Sequence, residues 1–162
     1  MQRRELFSSL ASSVKNAAKE KQEKLVRPPY NNNESLFHKE CPQCDEKCAT
    51  VCEVEIIKIA KDRTPYLDFS KSGCTYCDDC AEACEFDVLS LENKKQINAT
   101  VTINKKECVS WEGVMCFSCK DPCLDNAIDF KAMFMPSIND NCTACGFCIS
   151  RCPVQAIKVA VL

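Results

Sequence analysis

Cysteine constrains this chain more than any other residue, because sixteen of its 162 residues are cysteine and all sixteen fall into four groups of four. The groups are Cys41, Cys44, Cys48 and Cys52; Cys74, Cys77, Cys80 and Cys84; Cys108, Cys116, Cys119 and Cys123; and Cys142, Cys145, Cys148 and Cys152. A cysteine content of about 10% is typical of disulfide scaffolds or of metal proteins. The fold of such a chain depends on what its thiols bind.

The N-terminal segment favours metal over disulfides. The pair Arg3 and Arg4 is followed by a polar and charged run over residues 12–24, where an export signal would have an apolar stretch and a cleavage site. No apolar run in the sequence is long enough for a transmembrane helix. We therefore expect a cytoplasmic protein with no membrane span, and cytoplasmic thiols are kept reduced.

The spacing of the cysteines favours cubic iron–sulfur clusters over zinc. The fourth group reads Cys-x2-Cys-x2-Cys-x3-Cys-Pro, which is the run that binds [4Fe–4S] clusters in bacterial ferredoxins. The second group has the same spacing without the proline, the first is slightly irregular, and the third has seven residues between Cys108 and Cys116. Zinc stays the weaker alternative, because its sites usually combine two cysteine pairs from separate hairpins.

The bacterial run also predicts how the cysteines are shared, because its fourth cysteine binds the other cluster of a pair. We therefore expect four [4Fe–4S] clusters with crossed ligands. Cluster 1 takes Cys41, Cys44, Cys48 and Cys84; cluster 2 takes Cys74, Cys77, Cys80 and Cys52; cluster 3 takes Cys108, Cys116, Cys119 and Cys152; cluster 4 takes Cys142, Cys145, Cys148 and Cys123. Ligation of each cluster by the four cysteines of one group stays an alternative.

Short β-prone segments beside the cysteine groups predict the fold class. Three precede a group, at residues 65–69, 100–103 and 135–138, and four follow one, at residues 56–59, 88–91, 127–130 and 156–159. Half of a two-cluster ferredoxin consists of a strand, a cluster loop, a helical turn and a second strand. Four repeats of this pattern therefore correspond to two ferredoxin-like units in one chain. We expect an α+β fold with two tandem bacterial-type two-[4Fe–4S] ferredoxin-like units, residues 37–95 and 96–162, after a basic helical arm and proline-rich linker at residues 1–36.

Charge and composition exclude several classes of function. Residues 1–29 carry seven Lys or Arg and three Asp or Glu, whereas residues 30–162 carry 14 and 20. An acidic body should not bind nucleic acid, whose recognition needs basic groups. The arm has an apolar stripe that could pack on the body or dock on a partner protein or a membrane surface. A single histidine, His38, and three glycines provide neither a catalytic triad nor a phosphate loop.

The chain resembles the NapF family, ferredoxin-type proteins encoded with periplasmic nitrate reductases. The resemblance covers nearly the whole chain and is carried by Arg3 and Arg4, by Arg27-Pro28-Pro29-Tyr30, by Glu34 and Phe37 ahead of Cys41, and by the order of the four cysteine groups. It implies that the sixteen cysteines are cluster ligands. We expect that the protein is not an enzyme, because the sequence provides no set of catalytic residues.

The same resemblance implies a role and a partner. The protein would be a cytoplasmic accessory protein that contacts the precursor of the nitrate reductase NapA and helps to load or reduce its iron–sulfur cluster before export. The alternative is an electron-transfer polyferredoxin, or the iron–sulfur subunit of an oxidoreductase complex. The chain departs from the bacterial run at Cys52, Cys84 and Cys123, none of which is followed by proline.

Overall fold

The computed structural model describes residues 25–93, the N-terminal half, and residues 96–162, the C-terminal half. The basic helical arm predicted at the start of the chain lies outside the described residues. Four short helices are present in these two ranges: α1 (Ser35–Glu40), α2 (Lys47–Thr50), α3 (Asp79–Glu82) and α4 (Phe147–Arg151), with a 3-10 turn at Cys41–Gln43. The strands are β1 (Ile57–Ile59), β2 (Pro65–Leu67), β3 (Ala99–Ile103), β4 (Ile128–Lys131), β5 (Phe134–Ile138) and β6 (Ile157–Val161).

The strands form three antiparallel pairs, and no pair crosses from one half to the other. In the N-terminal half β1 pairs with β2. In the C-terminal half β3 pairs with β6, so the first and last strands of that half lie side by side, and the β4–β5 hairpin lies between them in sequence. β3 also packs against β5. None of the helices in the described part of the chain is both long and apolar enough to cross a membrane.

Six of the seven β-prone segments form strands, and the segment at residues 88–91 does not. Val88 and Leu89 are buried as a strand would require. The backbone groups of this segment, however, do not pair with a strand. The Ser90 N–H donates to the Tyr30 carbonyl at 2.9 Å, and the Asn31 side-chain amide donates to the Val88 carbonyl at 3.0 Å. Because a side-chain bond takes a place that a ladder bond would have, the segment forms a bend, in which Val88 and Leu89 are buried and Leu91 is exposed.

Residues 26–30 differ from the linker predicted for them, because they pack into the N-terminal half. Val26 and Tyr30 are buried, and the Leu67 N–H donates to the Val26 carbonyl at 2.7 Å. The Arg27 guanidinium donates to the Thr64 hydroxyl and to the Pro65 carbonyl, both at 2.8 Å. Two consecutive prolines end a helix, but they also hold the backbone in an extended conformation. The backbone of residues 26–30 lies beside β2.

Arg27 provides a test of how firmly this segment is held. Its guanidinium lies 5.0 Å from the centre of the Phe37 ring, and its bonding partner Thr64 is fully buried. We expect Arg27→Ala to lower the free energy of unfolding by about 2–4 kcal/mol, because two buried acceptors lose a charged donor. Lys61→Ala, at an exposed position, should change it by less than about 0.5 kcal/mol. Anaerobic denaturant melts that give the two variants the same stability would contradict this expectation.

One apolar core runs through both halves, and several cysteines belong to it. Its members from the N-terminal half include Phe37, Ile56 and Leu67, and those from the C-terminal half include Ile97, Ile128 and Ile157. Cys80, Cys119 and Cys148 are buried in the same core. The strands are only three to five residues long, so the thiols and whatever they bind make up a large part of the interior.

Candidate iron–sulfur sites

The structure brings three of the four crossed cysteine sets together around small cavities. Each cavity has a volume of about 20 Å³ and is lined by three cysteines of one group and the last cysteine of the group it is paired with. The sets are Cys41, Cys44, Cys48 and Cys84 (site 1); Cys108, Cys116, Cys119 and Cys152 (site 3); and Cys142, Cys145, Cys148 and Cys123 (site 4). Asp125 at site 4 is the one charged residue in these linings, and the others are apolar or uncharged.

The remaining set, Cys74, Cys77, Cys80 and Cys52 (site 2), is recognised by the effect of its thiols on one another. Burial raises the pKa of Cys80 to about 12, and the nearby thiols that raise it further include Cys74, Cys77 and Cys52. Burial likewise raises the pKa of Cys74 to about 11, with Cys52 and Cys77 among the contributing neighbours. The last cysteine of the first group therefore lies among the first three cysteines of the second.

The same electrostatic pattern holds at the other sites. Burial raises the pKa of Cys48 and of Cys148 to about 12, and that of Cys41 and of Cys119 to about 11. Without a metal, the thiols of these four cysteines are consequently neutral at pH 7. A cation that binds them as thiolates must displace their protons and offset the cost of burying negative charge.

A repeated turn follows each cysteine group. The residue three positions after the last cysteine has a positive φ in all four repeats: Glu55 (52°), Asp87 (52°), Asn126 (49°) and Gln155 (52°). None of the four is glycine, although the left-handed conformation costs other residues roughly 1–2 kcal/mol. Its recurrence at four equivalent places indicates that the surrounding structure imposes the turn.

This turn aims backbone N–H groups at the last cysteine of a group. Leu89 donates to the Cys84 sulfur at 3.4 Å, Ala127 to the Cys123 sulfur at 3.3 Å, and Ala156 to the Cys152 sulfur at 3.2 Å. Such bonds stabilise a thiolate, and hydrogen bonds to sulfur are one of the means by which a protein sets the potential of an iron–sulfur cluster. No sequence signal identifies these donors, because a backbone N–H is present at nearly every residue.

The second and fourth cysteine groups wind in the same way. Tyr76 and Ala144 occupy equivalent positions and have φ values of 54° and 60°. Asp78 and Gly146, two residues further on, have φ values of 75° and 86°. The matching conformations agree with the matching spacing of these two groups, and they place three cysteines of each group on one side of a tight loop.

The insert between Cys108 and Cys116 is a loop that contacts the rest of the C-terminal half and is exposed at its end. The Trp111 indole N–H donates to the Pro136 carbonyl at 3.2 Å, and the Lys105 ammonium lies 4.5 Å from the centre of the Trp111 ring. Val114 and Met115, at the end of the insert, are exposed. The insert is therefore anchored to β5 at its tryptophan, and its tip projects into solvent beside site 3.

The donors at each site fit an iron–sulfur cluster by their chemistry. Four thiols are soft ligands of the kind that bind iron–sulfur clusters or zinc. Over residues 25–93 and 96–162, no three or more histidine, cysteine or acidic side chains are arranged to hold a single metal ion. Thiolates on separate corners of a cube stand farther apart than thiolates on one ion, so a set of four around a cavity suits the larger group.

The sites differ in how far solvent reaches them. Cys77 is the exposed cysteine among the sixteen, whereas Cys80, Cys119 and Cys148 are buried. With a limiting iron chelator and iodoacetamide present, we expect Cys77 to be alkylated several times faster than Cys119 and Cys148, because chelator and reagent reach it first. Peptide mass mapping over time measures this. Equal rates at all cysteines, or earlier labelling of Cys148, would contradict the expected order.

Comparison with known families gives a consistent result. Residues 136–158 match the family described as a 4Fe–4S binding domain, and this range contains the whole fourth cysteine group. With the sixteen cysteines, the match supports a ferredoxin-like iron–sulfur fold and the binding of [4Fe–4S] clusters.

Curated relatives resemble the chain over most of its length. The chain is 32% identical over 142 residues to the ferredoxin-type protein NapF of Escherichia coli K12, covering 85% of each protein. It is 31% identical to the ferredoxin-type protein NapF of Haemophilus influenzae, over 83% of this chain and 78% of the relative. It is also 27% identical to the ferredoxin-type protein NapG of Escherichia coli K12, over 85% of this chain and 70% of the relative.

Proposed function

Because the chain belongs to the NapF family, ferredoxin-type iron–sulfur proteins of periplasmic nitrate reductase systems, we propose that it holds four [4Fe–4S] clusters, one at each of sites 1 to 4. The observation that carries this proposal is the meeting of the crossed cysteine sets, three of them around cavities and the fourth as a group of thiols close enough to affect one another. The clusters would lie in two tandem ferredoxin-like units, residues 37–95 and 96–162. Residues 26–30 would belong to the first unit, since they pack beside β2.

A bound [4Fe–4S] cluster supplies a one-electron redox centre. The residues of this chain hold it and control its surroundings. Apolar side chains such as Phe37 at site 1, Ile157 at site 3 and Ile128 at site 4 line the cavities and keep water out. The N–H donors of Leu89 and Ala127 lie against ligand sulfurs, which favours the more negative, reduced state of the neighbouring cluster.

We infer an accessory role, without catalytic turnover, in the maturation of the nitrate reductase subunit NapA. The protein would act in the cytoplasm, on the precursor before export, and would load or reduce the iron–sulfur cluster of that partner. Family membership supports the nitrate reductase system as the place of action. The solvent exposure of Cys77 supports exchange with a partner, because a cluster can be passed on only where a partner's ligands can reach it.

The charge of the two halves indicates how a partner docks. The N-terminal half carries seven Lys or Arg against 14 Asp or Glu, whereas the C-terminal half carries six of each. A partner that approaches sites 1 and 2 consequently needs a basic surface, and its association should slow as salt is added.

The second candidate function is an electron carrier or the iron–sulfur subunit of an oxidoreductase complex. The continuous core favours it, because one core holds all four sites in a single body. Such a body can pass electrons from one end to the other without exchanging a cluster.

Capture of the precursor separates the two functions. Tagged holoprotein should retain the unexported NapA precursor at low salt, and a strain that lacks the protein should make NapA deficient in iron and activity. Normal iron and activity of NapA in that strain, with only electron delivery lost, would favour the carrier. Deletion of residues 2–24 tests the predicted basic arm: we expect weaker capture, and unchanged affinity by calorimetry would exclude the arm as the docking element.

A further inference from the structure

The cysteine loops of sites 2 and 4 meet across the boundary between the two halves. The Cys74 N–H donates to the Cys145 carbonyl at 2.6 Å, so one hydrogen bond joins a cysteine of site 2 to a cysteine of site 4. Beside it, the Tyr76 hydroxyl donates to the Thr143 carbonyl at 2.6 Å. Both bonds run from the second cysteine group to the fourth, at the loops that wind alike.

Two glycines show how closely the halves approach. A Cβ atom on Gly73 would overlap the backbone nitrogen of Phe147, and a Cβ atom on Gly146 would overlap the ring of Phe69. Each glycine belongs to one half and faces a residue of the other. At Gly73 the backbones of the two cysteine loops are in direct contact, and at Gly146 the backbone lies directly against the Phe69 ring.

Within each half the two sites are also neighbours. In the N-terminal half, helix α2 carries Cys48 of site 1 and packs against helix α3, which carries Cys80 of site 2. In the C-terminal half, Cys148 of site 4 lies near enough to Cys119 of site 3 for the two thiols to interact electrostatically. The neighbours in space are therefore sites 1 and 2, sites 2 and 4, and sites 4 and 3.

We propose that the four sites form one electron path in the order site 1, site 2, site 4, site 3, and that the contact between Cys74 and Cys145 is where electrons cross between the halves. The order differs from the order of the cysteine groups along the chain. The proposal rests on the occupancy of the four sites proposed above. In each step one electron leaves a reduced cluster and enters an oxidised one; no bond forms or breaks and no proton moves.

The path requires clusters at sites 2 and 4 to be close enough for their unpaired electrons to interact. Two full-length proteins test this requirement. In the first, Cys41, Cys44, Cys108 and Cys116 are replaced with alanine, which leaves only sites 2 and 4 complete. In the second, Cys74, Cys77, Cys142 and Cys145 are replaced, which leaves only sites 1 and 3. After reduction with dithionite, we expect EPR lines split by spin–spin interaction in the first protein and two independent signals in the second.

A glycine pair tests the junction in a protein that keeps all sixteen cysteines. Gly146 and Gly113 have φ values of 86° and 85°, so alanine is equally strained at both. Only at Gly146 does the new Cβ meet the other half, because nothing lies within 4 Å of a Cβ on Gly113. We expect G146A to weaken the spin–spin interaction of the fully reduced protein, and G113A to leave it as in the parent.

The outcomes separate this proposal from the proposed function. Absence of iron and sulfide from the parent protein would overturn both. A protein that holds clusters at sites 2 and 4 by iron analysis, yet gives two independent signals, would overturn the path alone. If the protein with two sites does not retain its clusters, the comparison of G146A with G113A decides, and equal spectra of these variants would overturn the crossing at Cys74 and Cys145.

Discussion

Replacing Cys41 and Cys84 together with alanine is expected to remove one cluster, about a quarter of the iron of the protein. The two residues come from different cysteine groups, but both line the cavity of site 1. With crossed ligands the double variant damages site 1 alone. If each group instead bound its own cluster, the same variant would damage two clusters and lose about half of the iron.

The pair Cys74 and Cys84 is the matched control. These residues belong to one cysteine group but to different crossed sets, sites 2 and 1. If the ligands are crossed, the double variant of Cys74 and Cys84 should lose two clusters. If each cysteine group binds its own cluster, the same variant should lose one. Iron and acid-labile sulfide, measured without oxygen on both variants and on the parent, decide between the two arrangements, because each arrangement predicts the opposite ranking of the variants.

Removal of all iron is expected to abolish the cooperative unfolding transition. The described sheets have two strands each, and two-stranded sheets are marginally stable in water on their own. Cys80, Cys119 and Cys148 lie in the core with neutral thiols, so the apo protein keeps four-cysteine sets around cavities without anything to tie them together. Metal binding contributes on the order of 10 kcal/mol to the folding of small metal-dependent domains, about as much as the whole stability of many proteins.

Calorimetry and near-ultraviolet circular dichroism before and after chelation, both without oxygen, measure this effect. Reconstitution with iron and sulfide should restore the transition, and zinc alone should not, because a single ion does not span a set of four cysteines around a cavity. A sharp transition that persists in the iron-free protein would mean that the apolar core is sufficient without the clusters.

Much of the arrangement of the sites could be predicted from the sequence. The spacing within each group fixes how a loop can present three cysteines, and the bacterial run fixes where the fourth one points. The cysteine spacing therefore predicted the crossed sets, with ligation within one group as the alternative, and the fold brings the members of each crossed set together, although ligation itself stays a prediction. Most strands were predictable for a similar reason, because the apolar segments that follow the cysteine groups, such as residues 127–130 and 156–159, each begin four positions after the last cysteine.

Other features could not be predicted because the sequence does not encode them locally. Glu55, Asp87, Asn126 and Gln155 share a left-handed backbone and all carry a carboxylate or carboxamide, but none is glycine, the residue that usually indicates this conformation. Residues 26–30 contain two prolines and look like a linker, but long-range bonds to β2 bury them. The contact between Cys74 and Cys145 could not be predicted either, because it depends on how two loops that are distant in sequence meet.

The direct test of the central claim is the anaerobic iron and acid-labile sulfide content of the purified protein, combined with EPR after reduction. The account predicts about 16 iron and about 16 sulfide per chain and signals of reduced [4Fe–4S] clusters. A colourless protein that contains zinc, or no metal at all, would contradict it.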